Sequence, residues 1–175
     1  LRKTITFFTM YMKKSLLFTA MFMASGLAVA TVPITGNVES KCVITTDTAG
    51  IYGNPVANLL STKVTDGGAA PIIRYDIITP NTYKAVITTP VDFSDSPELN
   101  DTLAWDGDIT TSEVSDASMS AFDTNKRVYN NMTEIDLTVS GTAWFKAESS
   151  VSYGYDKAFP AGNYSSVVVA ECVAL

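Results

Sequence analysis

The sequence contains no histidine among its 175 residues. Histidine is the commonest general base near neutral pH and the commonest metal ligand, so serine–histidine and cysteine–histidine catalysis are both excluded. The remaining side chains offer no nucleophile with a partner base at a recognisable spacing. The sequence therefore predicts a protein that is not an enzyme and that has no cofactor.

Long apolar runs are also scarce, and the first one is too short to cross a bilayer comfortably. Lys13 and Lys14 precede an apolar run over residues 16–27, which is followed by the small-residue triplet Ala-Val-Ala at residues 28–30. A basic start, an apolar centre and an A-x-A site are the parts of a bacterial-type signal peptide. A membrane-spanning helix needs roughly 20 apolar residues, which disfavours an uncleaved anchor. The sequence predicts a signal peptide at residues 12–30.

Cleavage after this signal would leave a mature chain that begins at Thr31. Its 145 residues are enough for one domain with a sizeable core, so we expect a single domain over residues 31–175 and no membrane span. Met12 is the natural start, and residues 1–11 are interpreted as an upstream mis-start. Export would place the protein in the periplasm, on the cell surface or outside the cell.

Basic residues are few as well. Lys and Arg number 12 against 18 Asp and Glu, and four of the 12 precede Thr31, so eight remain and the net charge falls from −6 to −10. A surface this negative repels phosphate backbones and anionic lipid. Nucleic acid is therefore excluded as a partner.

Only two cysteines are present, Cys42 and Cys172. In an exported chain, an even number of cysteines near the two ends of a domain indicates a disulfide rather than a nucleophile or a zinc site. Closing a loop of about 130 residues is worth on the order of 4 kcal/mol in the chain-entropy description. We expect this disulfide to join the terminal strands of the domain.

Helical periodicity is absent, and alternation with a period of two takes its place. Side chains alternate from Val32 to Ile44, and again from Val168 to Ala174, with each cysteine on the apolar face. About eight to ten such runs separated by turn residues predict an all-β fold. We expect a single antiparallel β-sandwich of immunoglobulin-like or pilin-like type, with a β-barrel as the alternative.

Two local predictions concern the middle of the chain. Pro80 and Asn81 separate the β-rich runs 71–79 and 82–89, which predicts a β-hairpin. Short helical turns are expected near residues 115–122.

An acidic stretch extends from Asp92 to Asp108. Asp101, Asp106 and Asp108 offer oxygen ligands of the kind that Ca²⁺ prefers, and Trp105 beside them offers a ring on which a sugar can stack. Their spacing matches no EF-hand, so we interpret the stretch as a solvated acidic loop. A ligand or cation loop at these four residues is the alternative.

The two ends of the mature chain resemble a known family. The run from Phe159 to Leu175 leads from a glycine turn and an aromatic residue into a terminal alternating strand. The arm directly after the signal site alternates in the same way, through Val32, Ile34, Gly36 and Val38. This pattern resembles pilins of the chaperone–usher type and the related spore-coat-U-like proteins.

The resemblance implies that the arm is a donor segment, which completes the open sandwich of a neighbouring subunit. Partners would be other copies of the chain, other surface subunits and a periplasmic chaperone. The alternative is that the arm forms the first strand of its own, self-complete domain. We therefore expect an exported structural or adhesive (fimbrial) surface subunit, and the alternative function is a self-contained secreted or periplasmic module that binds a glycan or a cation.

Overall fold

Ten β-strands in two antiparallel sheets make up the part of the chain that the structure describes. The structure is a computed structural model, and it describes residues 35, 37, 39, 41–155 and 157–175. The predicted signal peptide lies outside these residues. So do the four apolar positions of the predicted arm, Val32, Ile34, Gly36 and Val38.

The first sheet contains six strands. They are β1 (Cys42–Thr48), β2 (Gly53–Val56), β3 (Leu59–Ser61), β4 (Ile72–Ile77), β6 (Leu103–Val114) and β9 (Gly141–Tyr153). The long strand β9 pairs with β6 along one side and with β4 and then β3 along the other, while β1 pairs with β4 and β2 with β3. Strand β1 is therefore an edge of this sheet.

The second sheet contains four strands in the order β10-β5-β8-β7. Their bounds are β5 (Tyr83–Thr88), β7 (Arg127–Tyr129), β8 (Met132–Asp136) and β10 (Val169–Ala174). The C-terminal strand β10 pairs with β5 alone and forms one edge of the sheet. Because the two sheets are separate, the fold is the predicted sandwich and the alternative of a barrel is not found among the described residues.

In the described residues, helical structure is confined to three short segments. A 3₁₀ turn at Val64–Asp66 ends at Gly67, which has the left-handed φ of 78° that glycine accepts without strain. A second 3₁₀ turn at Ala117–Ala121 leads into a one-turn helix, α1 (Phe122–Asn125). The helical turns predicted near residues 115–122 are thus confirmed. Within the described part of the chain, no helix has the length and apolar character needed to cross a membrane.

Alternating strand positions from both sheets fill the interior between them. Tyr75 of β4 and Phe145 of β9 are fully buried, and their ring centroids lie 5.4 Å apart in an edge-to-face arrangement. Ile87 of β5 and Ile135 of β8 belong to the same buried cluster. An aromatic pair of this kind contributes about 0.5–1.5 kcal/mol beyond the burial of its area.

The disulfide between Cys42 and Cys172 is present and joins the two sheets at their edges. Both residues lie at partly buried positions of the terminal strands β1 and β10 and pack against the core. The Cα atoms are 6.2 Å apart, inside the usual range for a disulfide. The prediction that the terminal strands are cross-linked is confirmed.

Two predictions about strands need correction. The runs on either side of Pro80 and Asn81 do form strands, but they do not form a hairpin, because β4 belongs to the first sheet and β5 to the second. Asn81, with φ 59°, donates its N–H to the carbonyl oxygen of Leu137 at the point where the chain changes sheets. The predicted first strand is also shorter than expected, since β1 begins at Cys42 and the described residues before it belong to no strand.

Candidate functional site

A groove lies between the edge strand β1 and the chain segment that leads into the edge strand β10. Its volume is about 850 Å³. It is lined on one side by residues that follow Cys42 and on the other by residues that precede Cys172, so it extends away from the disulfide in one direction. No lining residue carries a charge, which contrasts with the strongly acidic composition of the mature chain.

The floor of the groove is apolar because of strand alternation. Side chains that point inward from β1, β3, β4, β9 and the approach to β10 line it, and these are Ile44, Leu60, Ile73, Ala147, Val168 and Ala170. Ile44, Val168 and Ala170 are only partly buried, although they pack against the core. The sandwich therefore leaves part of its core accessible along this line.

The end of the groove that lies far from the disulfide is more polar. The hydroxyl groups of Tyr52 and Ser166 are 2.6 Å apart, and Ser149 Oγ lies 3.4 Å from the same Tyr52 hydroxyl. Two large apolar side chains of the lining are exposed, Ile51 at 65 % and Val167 at 59 %. The groove thus offers apolar area with a few hydroxyl groups at one end.

Among the described strands, β1 has a pairing partner on one side only, and its other side faces the groove. Ile78 donates its N–H to the carbonyl oxygen of Lys41, which shows that odd-numbered residues of β1 direct their backbone groups toward β4. The N–H and C=O of Ile44 consequently point away from β4. No described strand pairs with that edge.

The described strands likewise leave one side of β10 without a partner. Leu175 donates its N–H to the carbonyl oxygen of Thr82, so odd-numbered residues of β10 direct their backbone groups toward β5. The N–H and C=O of Ala170 point to the other side, where β10 has no described neighbour. Two open strand edges therefore flank one apolar groove, and open edges of this kind accept an additional strand.

A cluster of aromatic rings, to which the lining residue Tyr164 belongs, supports the end of the groove that lies far from the disulfide. Phe93 is at its centre, with ring centroids 4.8 Å from Trp105 and 5.1 Å from Tyr164. Phe159 stacks on Tyr153 at 5.2 Å and completes the cluster. Burial raises the pKa of the Tyr164 phenol, and its hydroxyl donates a hydrogen bond to the carbonyl oxygen of Pro160 at 2.7 Å. These contacts hold the segment before β10 in place and so shape the wall of the groove.

The residues predicted as a ligand or cation loop are not gathered into one site. Trp105, Asp106 and Asp108 lie in β6 rather than in a loop, and strand alternation turns Trp105 to the aromatic cluster and the two carboxylates to the exposed face. Asp108 lies 3.1 Å from Lys126 Nζ, and Asp101 lies 3.8 Å from Lys157 Nζ. The described residues contain no group of three His, Cys, Asp or Glu side chains placed to hold a metal ion.

Trp105 does not form an exposed platform for a sugar. Its indole Nε1 is buried and has no hydrogen-bond partner among the described groups. The ring instead packs against Phe93.

Comparison with protein-family models, with curated proteins and with solved structures found no match to this chain. Its function is therefore argued from the groove and from the sequence of the arm.

The groove itself was not predicted from the sequence. Alternation identified Ile44, Val168 and Ala170 as inward-facing, but it did not show that they remain partly accessible. Ile51 and Tyr52 were not recognised as site residues at all. One signal in the sequence could have indicated the groove. The two terminal strands alternate, and a cross-link joins them at only one point.

Proposed function

We propose that the protein is an exported structural subunit of a surface polymer, in which the arm of one copy, residues 31–38, adds a strand to the groove of the next. The observation that carries this proposal is the apolar groove flanked by two open strand edges, β1 and β10. Backbone hydrogen bonds to an open edge supply affinity, and pockets for alternate side chains supply specificity.

The arm and the groove match in chemistry. Residues 31–38 have no charged side chain, and Val32, Ile34, Gly36 and Val38 alternate with the other positions of the arm. The groove is likewise uncharged and apolar at its floor. On a mature chain with a net charge of −10, a segment without acidic side chains that meets a groove without charged side chains avoids the repulsion that an acidic segment would encounter.

The arm and the groove also match in length. The β1 side of the groove is lined from Ile44 to Tyr52, a span of nine positions that at about 3.3 Å per residue corresponds to roughly 30 Å. The arm, residues 31–38, has eight residues. One arm in extended conformation is therefore long enough to cover most of the floor of one groove.

The proposal takes a second copy as the occupant of the groove. The two described residues of the arm, Thr35 and Asn37, are exposed and belong to no strand. The chain's own arm is the alternative occupant, and the experiment below separates the two.

The experiment compares the mature chain with a variant that lacks residues 31–37, by sedimentation and by thermal melting. We expect polymers from the mature chain, and folded monomers with an intact Cys42–Cys172 disulfide from the deletion variant. A stable monomeric mature chain that loses stability on deletion would contradict the proposal, because burial of the arm in its own sheet is worth roughly 1.5–3 kcal/mol per large side chain.

Two substitutions in the arm provide a matched pair. Ile34→Asp places a charge on the face that enters the groove, whereas Thr35→Asp places the same charge on the other face. The proposal predicts that the first variant loses polymer and that the second retains most of it. Equal losses would indicate that charge alone, and not insertion of one face, controls assembly.

A further inference from the structure

We propose that the Cys42–Cys172 disulfide closes one end of the groove, so that the inserted strand must begin there with a free N-terminus. This inference rests on the proposed function, since it concerns how the same groove accepts its strand. The disulfide then has a role in binding, because it sets the length, the direction and the register of the inserted strand. It also makes removal of the signal peptide a condition for insertion.

The closure follows from a distance. Neighbouring strands in a sheet lie about 4.8 Å apart, so a strand between β1 and β10 requires these two to be roughly 9.5 Å apart. The Cα atoms of Cys42 and Cys172 are only 6.2 Å apart, and a covalent bond holds them there. No strand passes between the two edges at this point. Any occupant has to end at the disulfide.

The other end of the groove, which we call the mouth, is not closed by a covalent bond. From the disulfide, β1 continues through Ile44 toward Gly50, while the opposite wall is traced backward from Ala170 toward Tyr164. At the mouth the two walls are joined by side chains alone, through the hydrogen bond between the hydroxyl groups of Tyr52 and Ser166. A strand can therefore enter or leave the groove only at this end, where it displaces that hydrogen bond.

Chain connectivity then fixes the direction of the inserted arm. The C-terminal end of the arm continues into β1 of the copy that donates it, so that end has to leave through the mouth. Only the N-terminal end can stop at the disulfide. The arm must run parallel to β1 and antiparallel to β10, and antiparallel pairing is the slightly more stable of the two.

The same constraint explains why processing matters. With cleavage after residue 30, Thr31 abuts the disulfide and Val32 is the first side chain over the apolar floor. A chain that keeps residues 28–30 has to shift its register or remain outside the groove. A shift by one or three residues turns every side chain to the wrong face. A shift by four restores the face, but it places Ala28 and Ala30 where Val32 and Ile34 would lie.

The test uses three chains that all end at Leu175 and in which thiol titration confirms that the disulfide has formed. The first begins at Thr31, the second keeps Ala28–Ala30 at its N-terminus, and the third begins at Thr31 but carries the same three residues inserted between Glu39 and Ser40. The rate of polymer formation is followed by light scattering and sedimentation. We expect the second chain to polymerise at least about tenfold more slowly than the first, and the third to keep a rate close to the first.

A second set of chains, which lack the disulfide, tests whether the disulfide is what stops the inserted strand. In Cys42→Ala/Cys172→Ala chains, whose folding is checked by circular dichroism, the N-terminal extension should no longer slow assembly relative to its own Thr31 control. An extension that remains equally slow in this background would overturn the role of the disulfide. If the double variant does not fold, the comparison between the extended and the inserted chains in the disulfide-bonded background decides alone.

The outcomes separate this inference from the proposed function. If the extended chain polymerises as fast as the Thr31 chain while the disulfide is intact, the closed end is contradicted and strand addition stands. If the Thr31 chain forms no polymer at all, strand addition is contradicted and the inference falls with it.

Discussion

Tyr75 Oη donates a hydrogen bond to the carbonyl oxygen of Glu171, 3.3 Å away, across the interior between the two sheets. Tyr75 belongs to β4 of the first sheet, and Glu171 belongs to the edge strand β10 of the second. Cys172, the next residue, is bonded to Cys42. Strand β10 is thus held from the core side by two adjacent cross-links, while its outer edge stays open to the groove.

Removing the hydroxyl of Tyr75 should destabilise the fold moderately. Tyr75→Phe keeps the buried ring beside Phe145 but leaves the carbonyl of Glu171 without this donor. We expect a loss of about 1 kcal/mol in the free energy of unfolding, measured by urea titration at neutral pH. Tyr129→Phe on the exposed strand β7 is the control and should change stability by less than about 0.5 kcal/mol. A Tyr75→Phe chain as stable as the parent would show that the hydrogen bond contributes nothing.

The same tyrosine should make the fold sensitive to alkali. Burial raises the pKa of the Tyr75 phenol well above its ordinary value, and the nearby charge of Glu171 adds to this effect. The unfolded chain releases this proton near pH 10 and the folded chain does not, so stability is lost as the pH rises above about 10. Absorbance titration should show one tyrosine that ionises only when the protein unfolds. Ionisation of all tyrosines in a still-folded chain would contradict this.

The disulfide should contribute several kcal/mol to stability. Cys42 and Cys172 are 130 residues apart in sequence, and cross-linking a loop of this size is worth on the order of 4 kcal/mol in the chain-entropy description. We expect Cys42→Ala/Cys172→Ala to lower the free energy of unfolding by about that amount in denaturant titrations. A loss below about 1 kcal/mol would mean that the reduced chain is already restricted before it folds.

Acid should weaken the outer face of the second sheet. Arg127 lies 2.7 Å from Asp136, and Lys84 lies 2.6 Å from Glu134. The hydrogen bond from Arg127 lowers the pKa of Asp136, and the hydrogen bond from Lys84 lowers the pKa of Glu134. Both carboxylates therefore stabilise the fold above their unfolded pKa values, near 4, and this contribution is lost as the pH falls through the lower folded values.

The measurement is the urea midpoint of the parent and of Arg127→Gln between about pH 6 and pH 2. The parent should lose more stability than the variant over this interval, because the variant no longer favours ionised Asp136. Lys157→Gln, beside Asp101 at 3.8 Å, is the control for loss of a surface charge. Identical pH profiles for the parent and Arg127→Gln would contradict this account.

Alternation along the chain was sufficient to predict the class of fold and the disulfide. Cys42 and Cys172 lie on the apolar faces of the two alternating terminal runs. Alternation with a period of two depends only on neighbouring residues, so it can be read from the sequence before the fold is known. The hairpin between β4 and β5 was predicted wrongly because Pro80 and Asn81 signal a turn, and a turn can lead to the same sheet or to the opposite one. That choice depends on contacts of β5 with β8 and β10, which are distant in sequence.

The candidate site was less predictable for a related reason. Trp105 and Asp106 are neighbours in sequence, and they were considered as one site until the strand placed them on opposite faces. The groove lies between β1 and the segment that leads into β10. No local pattern predicts it, because it depends on two strand edges that come together only after the sheets have packed.

The measurement that tests strand addition most directly is hydrogen exchange at the two open edges. In the monomeric variant without residues 31–37, the amides of Ile44 and Ala170 should exchange rapidly, since neither has a described partner strand. In polymers of the mature chain, strand addition should slow exchange at one or both edges by at least about tenfold, while Val128 on the remote strand β7 stays unchanged. Amides at both edges that are already protected in the monomer, or that remain unprotected in the polymer, would contradict the proposal.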